Sequence, residues 1–229
     1  ATQQLKKAIE LSEIKRVIAL SQIGADAGKA ENKRLQALGE SEAALITMNQ
    51  TENTILRAGL LLGDGDQASE QICKQLEWMS ILPLPNASTV VQPLAIAEFA
   101  KAVVSSIENV ALFGKKIEVA GEERLTLKQL AELIAELMGK ESAMIFPVCS
   151  LNARLMLKLG GLAPVKSVSR VLLESLKTDQ VSDTDFSSMF GFVPKSVEQV
   201  LSSCLLPNTM REKYHYLRQE AGRNADDLV

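Results

Sequence analysis

The stretch Asn53-Thr54-Ile55-Leu56-Arg57-Ala58-Gly59-Leu60-Leu61-Leu62-Gly63-Asp64-Gly65-Asp66 decides the fold of this chain. Its apolar run is short, is interrupted only by Arg57 and ends in a glycine–aspartate turn. That pattern predicts a buried strand through Leu62 rather than a helix. Helical patterns lie on both sides of it, which predicts a parallel α/β sheet. Ligands of open sheets of this kind bind beyond the carboxyl ends of the strands. Residues Ala58 to Gly65 would occupy that end.

Upstream, residues 2–12 place Leu5, Ala8, Ile9 and Leu11 on one helical face. Val17-Ile18-Ala19-Leu20 predicts a strand ending at Ser21-Gln22-Ile23-Gly24-Ala25-Asp26, and residues 29–49 a helix with Leu35, Leu38, Ala44, Leu45 and Met48 inward. Downstream, residues 68–78 read as a helix with Ile72, Cys73 and Leu76 inward, and Leu82–Asn86 as a proline-broken loop. Val90–Leu94 predicts a short strand and Ala95–Ile107 an amphipathic helix. Lys116–Ala120 and Ala143–Val148 read as strands. Between them Thr126 is suited to cap a helix over Leu127–Met138 that stops at Gly139. From Cys149 onward the texture is helices and loops, including an acidic turn at Asp183 and Asp185, and residues 207–229 form a polar tail.

Composition narrows the function classes. A chain of 229 residues with 46% hydrophobic residues can bury a substantial core. A net charge of −3 gives no electrostatic case for nucleic acid or an anionic membrane. The apolar runs are too short to span a bilayer, and no basic-then-apolar leader opens the sequence. Cys73, Cys149 and Cys204 are odd in number and widely spaced, which predicts buried thiols in a reducing compartment and a cytoplasmic protein. The one histidine, His215, sits in the polar tail, which argues against Ser-His-Asp catalysis and a histidine-rich metal site.

Six stretches, in order, carry a resemblance that covers roughly residues 5–203. They are Glu13–Asp26 (EIKRVIALSQIGAD), Gly39–Leu45 (GESEAAL), Thr54–Gly63 (TILRAGLLLG), Gln92–Ala100 (QPLAIAEFA), Lys116–Gly121 with Leu125-Thr126, and Phe190–Pro194 with Ser196–Val200. Together they resemble the atypical and extended short-chain dehydrogenase/reductase superfamily. The nearest branch is the NmrA-like one, which includes the accessory Rossmann subunit of respiratory complex I. The resemblance implies a Rossmann-like doubly wound parallel sheet that binds NAD or NADP. It divides the chain into the C-terminal part of a dinucleotide-binding domain (1–148), a small helical substrate lobe (149–206) and the tail (207–229). The family's G-x-G-x-x-G loop, which holds the pyrophosphate at a helix N-terminus, has no counterpart in the sequence. Set against the family, the sequence starts inside the helix before the fifth strand. Strands one to four are therefore expected in a longer protein of which this is a part.

The family's proton relay is a Tyr-x-x-x-Lys pair, whose spacing puts both groups on one helical face. By resemblance those positions are Arg34 and Leu38, so the relay is absent. The resemblance assigns Ser21 and Gln22 to the cofactor side, with Ser21 the candidate for proton delivery. Ser21 is equally suited to capping a turn. Ala58-Gly59-Leu60 matches the nicotinamide-side loop. Arg57 reads either as a contact to a substrate phosphate or carboxylate, or as an ion pair beneath the site. Gln92 is a further substrate-side candidate. Glu98 reads as a partner of a helix dipole, Met156, Leu157 and Leu162 as core or as the wall of an apolar pocket, and His215, Asp183 and Asp185 as solvated. Three functions follow from the resemblance. The first is an NAD(P)-dependent oxidoreductase on a small carbonyl or quinone-like substrate. The second is a non-catalytic redox sensor or assembly scaffold with a protein partner. The third and weakest is a sugar-nucleotide epimerase or dehydratase.

Overall fold

The computed structural model describes residues 2–48, 51–78, 80–140, 142–148 and 176–205. The expected strand at Val17–Leu20 is β1 (Arg16–Gln22), and the stretch at Asn53 supplies β2 (Glu52–Ala58). With β7 (Lys115–Val119) they form a three-stranded parallel sheet in the order β1-β2-β7. Register sets Ser21 opposite Arg57, and Ala58 opposite both Gln22 and Val119, so the strands end at one level. Helices α1 (Thr2–Glu10) and α2 (Lys33–Ile46) cover one face, where Ile9, Leu45 and Met48 pack on Val17 and Ala19. Helix α4 (Ile96–Ser105) covers the other, where Phe99 and Ala102 pack on Leu56, Ala58, Ile117 and Val119. This is the expected α/β architecture, and it follows from helices alternating with short β-rich runs.

The quoted stretch departs from its expectation in one respect. It is not one strand through Leu62. Strand β2 stops at Ala58, and Leu61–Leu62 form a separate two-residue strand, β3, paired with β6 (Leu94–Ala95). The break is a handover of hydrogen bonds. Gly59 donates its N–H to the Val119 carbonyl at 3.0 Å, the last bond to the first sheet, and Leu94 N–H donates to the Leu60 carbonyl at 2.9 Å. The expected strand at Val90–Leu94 divides in the same way into β5 (Val90–Val91) and β6, because Gln92 and Pro93 lie between two different pairings.

Three further boundaries are corrected. The helix expected over residues 29–49 begins at Lys33, because Asp26 accepts the N–H groups of Gly28 and Lys29 at 2.8 and 2.7 Å and holds a turn there. Asn32 then caps α2 through the Leu35 N–H at 2.9 Å. The loop expected at Leu82–Asn86 is instead, through Pro85, part of strand β4 (Ile81–Pro85), parallel to β9 (Met144–Val148). Its prolines are two residues apart, so both nitrogens turn to the open side and the ladder with β9 needs only the amides of Leu82 and Leu84. Helix α4, expected to run to Ile107, ends at Ser105 and leaves Val104 exposed. Elsewhere the boundaries stand: α3 (Gln67–Trp78) buries Ile72, Cys73 and Leu76, and α5 (Leu127–Leu137) begins with a Thr126–Gln129 capping box. Gly139 follows α5 at φ +67°, the left-handed conformation that ends helices.

Residues 149–175 and 206–229 lie outside the described residues, so the Met156, Leu157, Leu162 and His215 readings and about half of the proposed lobe fall there. The described part, residues 176–205, contains α6 (Phe186–Phe190) and α7 (Val197–Leu205). Leu176, Val197, Val200 and Leu201 belong to the core formed by α3, α5 and β4, and Phe186 and Phe190 to the core under α4. Among the described residues, no helix is long and apolar enough to cross a membrane.

Candidate functional site

Beyond the carboxyl ends of β1 and β2 lies a cavity of about 390 Å³. Leu20, Ser21 and Gln22 enter it from β1, Ala58 to Leu61 from the end of β2, and Arg34 and Leu38 from α2. Gln67 at the start of α3, Phe99 of α4, and Leu176 and Gln180 close the remainder. A second crevice, between α3, β4 and α5, is apolar and holds about 40 Å³, too little for a cofactor or substrate. The larger cavity is where an open parallel sheet places its ligand.

Gly59 forms the floor at the point where the chain leaves the first sheet. A Cβ there would stand 3.4 Å from Ile23 Cδ1, 3.5 Å from Ala120 Cβ and 3.6 Å from the Gln180 carbonyl oxygen, all ordinary contact distances, so glycine leaves this floor bare without being sterically required. Arg34 and Leu38, one helical turn apart, face the cavity together. These are the two positions that the resemblance assigns to tyrosine and lysine. Both tyrosines of the chain, Tyr214 and Tyr216, lie outside the described residues.

Beneath the cavity, Glu42 of α2 is only 2% exposed and gathers three polar side chains that the sheet turns toward that helix, Ser21, Arg57 and Lys116. Ser21 Oγ donates to Glu42 Oε1 at 2.6 Å. Arg57 donates Nε to the same oxygen at 2.9 Å and Nη2 to Oε2 at 2.5 Å. Lys116 Nζ stands 3.0 Å from Oε2, and Glu118 lies 3.9 Å from Arg57. Burial pushes the Glu42 carboxyl up, but hydrogen bonds from Arg57, Ser21 and Lys116 outweigh it and the net shift is downward. Its hydrogen bond to Glu42 raises Arg57 in turn. Glu42 is therefore held as a buried carboxylate against the Arg57 guanidinium.

These contacts settle where each candidate residue sits. Ser21, Gln22, Ala58, Gly59 and Leu60 line the cavity together. Ser21 is tied through its proton to a carboxylate, so its hydroxyl offers the cavity lone pairs rather than a donor. Arg57 lies below the cavity in the ion pair, the second of its two readings, and also donates to the Ala25 carbonyl at 2.8 Å. Gln92 is outside the cavity. Its Nε2 donates to the Gly121 carbonyl at 3.0 Å and its Oε1 accepts the Ser182 N–H at 2.6 Å, which binds the 176–205 segment to the sheet. Glu98 is buried in the first turn of α4 and accepts the Lys195 N–H at 2.9 Å, and its second oxygen has no partner among the described residues. Burial raises the Cys73 thiol to about 11, an inert core group.

Sequence reading missed Glu42, Gln67, Phe99 and Gln180 as parts of the site. Glu42 had a signal: a glutamate between Leu38 and Leu45 on the inner face of α2, with an arginine needing a counterion inside the next strand. The other three come from elements distant in sequence and carry no local mark.

No family model matches the chain. A curated relative, the mitochondrial NADH dehydrogenase (ubiquinone) 1 alpha subcomplex subunit 9 of Dictyostelium discoideum, is 27% identical over 115 residues. The match takes in 50% of this chain and 32% of the relative, so the chain spans about a third of the length of the curated relative it matches. An Escherichia coli NADPH-dependent quinone oxidoreductase complexed with NADPH superposes with a TM-score of 0.70 at 18% identity, over 89% of this chain and 70% of that one. A nucleoside-diphosphate-sugar epimerase from Staphylococcus aureus gives 0.65 at 16%, over 88% and 69%. A Thermotoga maritima UDP-glucose 4-epimerase, solved with UDP-glucose, gives 0.64 at 15%, over 94% and 68%. At these identities the solved structures speak to fold alone. The chain is thus similar in part of its sequence to that complex I subunit and in fold to the NADPH-dependent quinone oxidoreductase and the two epimerases.

Proposed function

We propose that this chain binds NAD or NADP, with the nicotinamide end in the cavity beyond β1 and β2. The observation that carries the reading is the cavity wall, where Gly59 leaves a side-chain-free floor between Ser21, Gln22 and the Ala58–Leu61 turn. The fold neighbours include a quinone oxidoreductase complexed with NADPH and epimerases solved with NAD. The residues present fit the nicotinamide end of such a cofactor. They do not include a Gly-rich loop for its pyrophosphate. When bound, the nicotinamide supplies or accepts a hydride, and the reaction class is reduction of a small carbonyl or quinone-like compound. The chain's own contribution is to shape the pocket and exclude bulk solvent with Leu20, Leu38, Leu60 and Phe99. Water delivers the proton to the substrate oxygen, because neither Arg34 nor the Glu42-bound Ser21 offers one readily.

The same observation favours a second reading, in which the chain binds the dinucleotide without turnover as a redox sensor or assembly scaffold. Thermal shift against NADH and NADPH, followed by a panel of quinones and small aldehydes and ketones, separates them. Stabilisation with turnover supports the oxidoreductase, and stabilisation without turnover supports the scaffold. No stabilisation by either nucleotide overturns both. An epimerase or dehydratase is disfavoured by the missing phenol at Arg34.

A further inference from the structure

Among the described residues that line the cavity, Arg34 is the one that is charged. Its surroundings there are the amides of Gln22, Gln67 and Gln180, the Ser21 hydroxyl and apolar side chains. Gln22 Oε1 accepts Arg34 Nη1 at 2.8 Å, and among the described residues no carboxylate pairs with the guanidinium. The nearby acid is already spent: both oxygens of Glu42 are taken by Arg57, Lys116 and Ser21. The cavity therefore offers a cation held in place by one neutral partner, with the rest of its donor fork open. A guanidinium is a planar array of five donors matched to a carboxylate or phosphate, and a neutral amide partner orients it without cancelling its charge.

We propose that Arg34 is the oxyanion anchor of this cavity. The ligand that enters beside it carries a carboxylate or phosphate, with that group on Arg34 and its uncharged part against Leu38, Gly59 and Phe99. The inference rests on the cavity's being the ligand site proposed above, and it names the chemistry of what enters. Two sources share that chemistry: a small acid as substrate, or a phosphate of the dinucleotide. Loss of the tyrosine position to arginine then exchanges a proton donor for a charge that selects anionic ligands.

The test uses the whole chain and ligand-observed NMR, which reads millimolar affinities. Pyruvate, its neutral isostere pyruvamide, inorganic phosphate and NADH are titrated separately into wild type, Arg34→Gln and Arg34→Lys. Pyruvate is expected to bind at least about tenfold tighter than pyruvamide, a preference that Arg34→Gln abolishes and Arg34→Lys retains in part. If the oxyanion comes from the cofactor, the Arg34→Gln loss appears instead in the phosphate and NADH titrations. Arg34 is exposed and makes its one hydrogen bond to Gln22, so unchanged melting of both variants checks that the fold is kept. Equal binding of every probe by wild type and Arg34→Gln, or no binding of any, overturns the proposal. An Arg34-dependent preference for pyruvate with no NADH binding by wild type would leave the anchor standing and sink the dinucleotide reading alone.

Discussion

The two faces of the β1-β2-β7 sheet are built on opposite principles. Toward α4, Leu56, Ala58, Ile117 and Val119 meet Phe99 and Ala102 in an apolar core. Toward α2, alternate residues of the same strands present Ser21, Arg57, Lys116 and Glu118 around the carboxylate of Glu42. Parallel sheets are usually covered by apolar contacts on both sides. The difference shows that α2 is docked at its middle by charge, with apolar contacts at its two ends, from Leu35 in its first turn and from Leu45 and the following Met48. Because Arg34 and Leu38 ride on that helix, the charged face sets the geometry of the cavity, while the apolar face supplies burial without direction.

The largest effect expected is from Glu42→Ala. It leaves Arg57 and Lys116 facing each other without their shared counter-charge, and loss of one partner from a buried pair costs about 4 kcal/mol. Denaturant unfolding reads it. Leu56→Ala on the other face is expected to cost about 3 kcal/mol through a cavity under α4. The pH dependence tells the two apart. The Glu42 carboxyl titrates below its ordinary value in the folded chain, so its stabilisation is complete above the unfolded-state value and is lost as pH falls through the lower folded one. The penalty of Glu42→Ala should therefore shrink in acid, whereas that of Leu56→Ala should not move. Parallel penalties for both variants across the acid range would mean that the two faces are not built differently after all.

Ser21→Ala is the next smaller probe. It removes one hydrogen bond to an ionised carboxylate and leaves both cations in place, for an expected loss of about 1.5 kcal/mol. If Ser21 serves only to brace Glu42, nucleotide binding measured by calorimetry stays within about twofold of wild type once temperature is kept well below the melting point. A large loss of binding with little loss of stability would move Ser21 from the brace to the ligand.

Much of this arrangement was legible in the sequence. The β-rich runs at Val17 and Thr54, the Thr126 cap and the Gly139 stop are local signals, and each marks its element correctly because nothing distant overrides it. The cavity's nearer wall, Ser21-Gln22 and Ala58-Gly59-Leu60, followed from the rule for strand ends together with the resemblance. What failed depended on pairing across the chain. Residues 82–85 read as a loop until β9 is beside them, and the switch of sheets at Gly59 is invisible without Val119 and Leu94. Arg57 had two readings because an arginine inside a strand needs a counterion, and only the fold reveals that Glu42 lies 15 positions upstream to supply it.

The finest test of the comparison is Lys116→Met. Its ammonium is 3.0 Å from Glu42 Oε2, yet the side chain is 34% exposed, against 3% for that of Glu42. Water screens such a contact, and the methionine keeps most of the lysine's apolar stem, so the expected loss is about 0.5 kcal/mol, smaller still at high salt. Arg57, with two hydrogen bonds to the carboxylate and a third to the Ala25 carbonyl, should carry nearly all the pairing. A double-mutant cycle between Lys116→Met and Glu42→Gln reads the coupling directly. A coupling near that small value confirms a single strong pair with a screened satellite. A coupling of about 2 kcal/mol would instead make the charged face a three-body lock, in which β7 as well as β2 fixes where α2, and with it Arg34, stands over the cavity.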